Sequence, residues 1–345
     1  MRTQTPSQGA LAFLLASSAL VLSACEVNLR PLPGSVEAEV EDAIDRGFDG
    51  IIVYVDQPGA NTLYSAGWDD REAEVPADPK ALFKIASISK LYIAAAVTMM
   101  VADEELSLDS TLAQLVPEVG GNIENADEIT LRMMVQHRSG IPEFIYDPDF
   151  TNEPEDSYME TASLVYGQPA DFLPDASYAY SNTNYLLIGE ILDRTLGYSH
   201  HVYIASEILD PLGLEETYSL LSEVDTDDVM SGYYIGYAPD LKTLEDHTRP
   251  GGSMVATATD VGLFVRALVD GTLFTEEEQA IYASLYPFEH TGWVGGYTSI
   301  VRYHPDIDTV VVQFVNTSHG PLFWTELERV YSRIVEILER GQQDD

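Results

Sequence analysis

One cysteine, Cys25, is all that the 345 residues contain, so no disulfide can form within the chain. Cations are scarce too: 17 Lys and Arg face 57 acids, the formal charge is −40, and only four are lysines, Lys80, Lys84, Lys90 and Lys242. So acidic a surface repels polyanions, which argues against nucleic acid as a partner. Self-repulsion of this size opposes folding unless cations screen it. The composition fits adaptation to high salt or an ordinary acidic surface; salt adaptation is the expectation carried forward. The sequence has no G-x-S-x-G, hence no α/β-hydrolase elbow, and no H-E-x-x-H. His200-His201 sits in an amphipathic helical stretch with no further ligand near it in sequence, so neither a metal nor another cofactor is expected. His137, His247, His304 and His319 have no evident role.

Apolar runs long enough to be transmembrane are also missing; the N-terminal apolar run covers residues 10–22. That run is too short to span a bilayer, which takes about 20 residues. It follows Arg2 and ends in Leu22-Ser23-Ala24-Cys25. The pattern resembles a bacterial lipoprotein signal peptide, which implies lipidation of Cys25 as the first mature residue. The plainer alternative is a secretory signal cleaved nearby. On the first reading, 1–24 is the signal, 25–35 a tether, and the chain is exported to the cell envelope and held on the membrane by its lipid.

What is plentiful is apolar residues, at 45 %, with 10 % aromatics, enough for a large core. Residues 36–45 have helical spacing, and 50–56 (GIIVYVD) and 63–68 read as an antiparallel strand pair. Residues 87–100 suit a buried helix. Helices are expected at 130–136, 184–196, 201–209 and 259–269, strands at 296–303 and 309–315, and a last helix at 324–338. The fold class is therefore α+β, an α/β sandwich. Its antiparallel sheet joins both ends of the chain and is flanked by the terminal helices, with a mostly helical subdomain, about 100–250, inserted into a domain of 36–340.

Three short motifs carry chemistry. In Ser87-Ile88-Ser89-Lys90, positions i and i+3 share a helical face, so the Lys90 amine can reach the Ser87 hydroxyl. Serine needs a base, and lysine, with a reference pKa of about 10.4, is one only when desolvated. Apolar flanks from Phe83 to Ala96 supply that burial. A helix beginning at Ser87 would aim free amides into the site. Tyr180-Ser181-Asn182 offers a phenol that can relay a proton and an amide that can orient the lysine and hold substrate. In His290-Thr291-Gly292, glycine admits substrate backbone and Thr291 offers a hydroxyl. The following amide, of Trp293, can pair with that of Ser87 as an oxyanion hole. Each motif alone also reads as a surface serine, a capping loop or a turn; their order and setting favour chemistry.

With these residues the chain resembles the serine β-lactamase and penicillin-binding superfamily, in its class C β-lactamase-like branch with D-alanyl-D-alanine carboxypeptidases and esterases. The segments FKIASISK, ITLRMMVQHRSGIP and PGGSMVATATDVGLF match that branch. The resemblance implies an acyl-enzyme on Ser87, Lys90 and Tyr180 as the acid/base pair, and Asn182, His290, Thr291 and Gly292 on the substrate. The partner would be a small-molecule or peptide acyl donor. His290 stands where many β-lactamases carry lysine, which weakens a dedicated β-lactamase and fits peptidase-like or esterase-like members. Trp293 replaces a usually small residue, and either narrows the cleft or packs outward. A catalytically silent envelope protein that binds peptide or peptidoglycan is the alternative.

Overall fold

The computed structural model describes residues 31–150, 157–237, 239–243 and 248–344. Cys25, the signal 1–24, the first part of the tether and His247 lie outside them. Among the described residues no helix is long and apolar enough to cross a membrane.

Ser35 caps α1 (Val36–Ile44) by accepting from the Ala38 amide. Helix α2 (Ser89–Ala102) is apolar all round and accordingly buried on nearly every side. It starts two residues later than its sequence suggests. Ser87 belongs instead to a 3₁₀ turn, Ala86–Ile88. The reason is Ala86, whose φ of 48° lies in the left-handed region and breaks the helical path. Helix α3 (Asn182–Leu196) ends on Gly197 at φ 75°, as its sequence indicates. Between α2 and α3 the chain runs through short helices such as Leu131–Val135. The stretch expected as one helix at 201–209 is a helical turn, His200–Ile204, followed by a π-helical turn, Ala205–Leu209. Helix α4 (Ala258–Asp270) packs on the sheet. Helix α5 (Glu276–Leu285) was not anticipated: it opens with three glutamates and buries only Tyr282 and Leu285, so its apolar period is faint. Its Thr275/Glu278 capping box was the available signal. Helix α6 (Pro321–Asp344) closes the chain.

The central sheet joins the two ends of the sequence. β1 (Gly50–Gln57) pairs with β2 (Ala60–Asp70), which pairs with β3 (Val75–Pro76). From the other end come β4 (Glu289–Val294), β5 (Tyr297–His304) and β6 (Thr309–Val315). The order is β3-β2-β1-β6-β5-β4, antiparallel throughout. β1 is β-branched and buried on both faces. Ile51, Val53 and Val55 join the core under α1 and α6, while Ile52 and Tyr54 join the core that includes α2 and α4. Tyr92 of α2 stacks on Phe264 of α4 with centroids 3.7 Å apart. This second core fixes the 3₁₀ turn at the sheet edge beside β4.

Candidate active site

The 3₁₀ turn is pinned from three sides. Ser89 Oγ donates to the Ala86 carbonyl (2.6 Å) and accepts from the Met254 amide (3.2 Å), and Ser299 Oγ of β5 donates to the Ile85 carbonyl (3.2 Å). Gly292 of β4 lies against the same carbonyl; a Cβ there would sit 2.3 Å from Ile85 O. Only glycine lets the strand come this close. The strain at Ala86, of order 1–3 kcal/mol, is held by these contacts and presents Ser87 to the cleft.

Ser87 Oγ accepts from Lys90 Nζ at 3.1 Å and from the Tyr180 hydroxyl at 2.8 Å. Lys90 is 1 % exposed. Its amine also donates to Asn182 Oδ1 (2.8 Å) and to the Gly251 carbonyl (2.7 Å). All three partners are neutral. A neutral amine would keep two N–H bonds, to Asn182 and Gly251, and turn its lone pair on the Ser87 hydroxyl. Burial drives the Lys90 pKa down to about 7, against a smaller upward pull from Glu143. Burial pushes Tyr180 the other way, so it stays a phenol at neutral pH. Of the two, lysine is the group that titrates near neutrality.

Asn182 opens α3, and its side chain is already committed. Glu143 Oε2 accepts from the Asn182 amide (2.6 Å) and from Nδ2 (3.0 Å), while Oδ1 faces Lys90. One Nδ2 hydrogen is left for a ligand. Sequence reasoning missed Glu143. It follows Pro142 in a turn tied to α3 by Thr183, whose hydroxyl donates to the Pro142 carbonyl (2.7 Å) and accepts from the Phe144 amide (3.1 Å). Nothing in one sequence announces a contact across 39 residues. His137 was set aside as having no role, yet its buried ring stacks on Tyr180 (4.4 Å, 27°), and its Nδ1 accepts from the Ser181 amide. Burial lowers its pKa to about 3, so the platform under Tyr180 is uncharged.

The third motif lies on β4 itself rather than ahead of a strand. Thr291 lines the cleft. His290 borders it too, but its ring is turned back: Nδ1 donates to the Thr291 carbonyl (2.5 Å) and Nε2 accepts from the Tyr286 hydroxyl (3.0 Å). Burial, helped by Lys90, brings its pKa to about 3. It presents no positive charge. Trp293 is 54 % exposed and stands in the cleft wall. Ser87, Tyr180, Asn182, His290, Thr291 and Trp293 thus meet in one cleft of about 1080 Å³, with Lys90 beneath it and Gly292 against the turn. The arrangement can activate a hydroxyl for attack on a carbonyl carbon.

The family model described as Beta-lactamase matches residues 36–287. Penicillin-binding protein 4 of Amycolatopsis lactamdurans is 24 % identical over 291 residues, 72 % of this chain and 76 % of that protein. Protein flp of Staphylococcus aureus (strain MW2) is 27 % identical over 152 residues, 44 % of this chain; the chain spans only 30 % of that relative's length. Among solved structures, D-amino acid amidase from Ochrobactrum anthropi SV3, complexed with L-phenylalanine, superposes with a TM-score of 0.79 at 21 % identity, covering 89 % of this chain and 99 % of that one. A D-stereospecific amidohydrolase from Streptomyces sp. gives 0.70 at 20 % identity, covering 84 % and 95 %. These superpositions establish a shared fold.

Proposed function

The chain belongs to the β-lactamase family, and on that premise we propose that it is a serine hydrolase working through an acyl-enzyme on Ser87, with a small or peptide amide or ester as acyl donor. One observation carries this reading: Ser87 Oγ is held between a buried amine and a phenol that opens on the cleft, at 3.1 and 2.8 Å.

Lys90, when neutral, takes the Ser87 proton as Oγ bonds to the carbonyl carbon. The amides of Ser87 and Trp293 receive the developing oxyanion. The bond to the leaving group then breaks, and the proton returns to that group through the Tyr180 hydroxyl, which Lys90 reprotonates. Water reverses the sequence and frees the acid. Lys90 and Tyr180 act as a coupled pair, with lysine as proton store and tyrosine as conduit. Asn182 orients Lys90 and offers its remaining N–H to the donor. Thr291 lies along the substrate, while Gly292, expected beside it, instead packs β4 against the serine turn.

The names of the neighbours support the donor class: an amidase and an amidohydrolase act on amides, and penicillin-binding protein 4 is named for a β-lactam. Carboxypeptidase-like and esterase-like activity both fall within it. The cell envelope is the proposed site of action, with the lipid on Cys25 as anchor. The acidic surface is proposed as an adaptation to salt.

The test is intact-mass spectrometry of the protein after exposure to a penicillin and, separately, to a short-chain ester, beside Ser87→Ala. A penicillin adduct on the wild type alone, or loss of substrate that requires Ser87, is expected. Inertness to both would favour the silent binding protein.

A further inference from the structure

The walls of the cleft say more about the donor than its catalytic floor does. Phe144, Ile145, Phe150, Ile235, Tyr237 and Trp293 all line the cleft. Several are unusually open for their kind: Ile145 at 45 %, Ile235 at 41 %, Tyr237 at 48 % and Trp293 at 54 %. A chain carrying −40 has every means to keep its surface polar. Apolar residues gathered around one mouth therefore mark a surface meant to be covered by a ligand.

Charge at the cleft points the same way. The third motif offers a neutral imidazole, with both ring nitrogens engaged. Arg302 on the neighbouring strand lines an adjoining recess with Tyr180, His290 and Thr291, but its guanidinium is held by both carboxylate oxygens of Glu328, at 2.8 and 2.7 Å. Among the described residues the one guanidinium lining the cleft is Arg249. It packs 5.1 Å from the Phe150 ring centroid, with Nε donating to Thr161 Oγ1 at 3.4 Å. Among the described residues, the guanidinium beside β4 is thus already paired with a carboxylate, and Glu143 lies behind Asn182.

We propose that the cleft takes an acyl donor without a carboxylate, bearing a bulky apolar or aromatic group beside the scissile carbonyl. This rests on the acyl-enzyme reading of Ser87 and narrows it, away from peptides with a free C-terminus.

Four thioesters test it: the acetyl and phenylacetyl esters of mercaptoacetamide and of mercaptoacetate. In each, the Ser87 Oγ–C bond forms as the C–S bond breaks, the thiol leaves with the serine proton, and water then releases the carboxylic acid. The expected result, in kcat/KM corrected for uncatalysed hydrolysis, is a preference of about ten-fold or more for amide over carboxylate and for phenylacetyl over acetyl. Both preferences should persist at about 2 M NaCl, where the field of the whole surface is screened. Phe150→Ala should lower the phenylacetyl-to-acetyl ratio. Equal or faster turnover of the carboxylate members, or an amide preference that vanishes in salt, would overturn the proposal. If the carboxylate preference also disappeared in Arg249→Gln, the anion would belong on that guanidinium. A fluorophosphonate run in parallel separates the two levels. Labelling of Ser87 without turnover of any thioester overturns the donor class, and absence of labelling overturns the acyl-enzyme itself.

Discussion

Glu39 and Lys90 are both buried, at 0 % and 1 % exposure, and their surroundings are opposite. Glu39 sits between α1 and α6 with Arg46 at 3.2 Å and Arg333 at 2.8 Å. Two guanidiniums hold that carboxylate and tie α1 to α6. Lys90 is given three neutral acceptors, and the carboxylate of Glu143 reaches it only through the Asn182 amide. An ionic partner fixes a buried charge, whereas neutral dipoles leave it free to lose its proton. The first arrangement builds structure, and the second builds a base.

Substitution at each centre should separate the two. Lys90→Ala is expected to lower acylation by about 10³-fold or more, with an unchanged far-ultraviolet circular dichroism spectrum. Normal acylation in that variant would remove the base from the mechanism. Glu39→Gln should do the reverse. Loss of its charge-assisted hydrogen bonds to two half-buried guanidiniums costs about 2 kcal/mol in denaturant unfolding, while kcat/KM per folded molecule stays at the wild-type level. Glu143→Gln lies between them: it removes the charge that raises the Lys90 pKa, so the midpoint of the pH–rate profile should move to lower pH. An unmoved midpoint would mean that Glu143 only shapes the loop.

How much of this was legible in the sequence depends on the range of the interaction. Ser87 and Lys90 are one helical turn apart, and the apolar flanks announce the burial. β1 and α3 declare themselves by β-branched runs and by Gly197. The left-handed Ala86 and the late start of α2 come from contacts with β5 and Met254, which no local pattern encodes. Glu143 and His137 follow the same logic: each acts on a motif about 40 residues away, through loops whose pairing exists only in three dimensions. His290 was found by its motif, but the turning of its ring onto Tyr286 was not.

Smaller effects follow from the neutral buried groups. His137, His201 and His290 are each lowered to about 3, by burial first. Between that value and the ordinary value of about 6.5 the unfolded chain binds protons that the folded one refuses. Stability is therefore full above about pH 6.5 and is lost progressively as pH falls toward 3. Thermal melts across that range should show the fall, and His290→Gln should make it shallower. The smallest expected effect is a melting temperature that rises with molar salt as the surface charge is screened. Indifference to salt would leave the acidic surface without that purpose.

The contrast between the two buried charges is tested most directly by the rate of Ser87 acylation as a function of pH, followed by intact mass with a fluorophosphonate. The expected rate climbs with pH through a midpoint near 7, as Lys90 loses its proton, and Ser87→Ala gives no adduct. A rate that is flat through neutrality, or an adduct that survives in Ser87→Ala, would contradict the assignment of Lys90 and Ser87 as base and nucleophile.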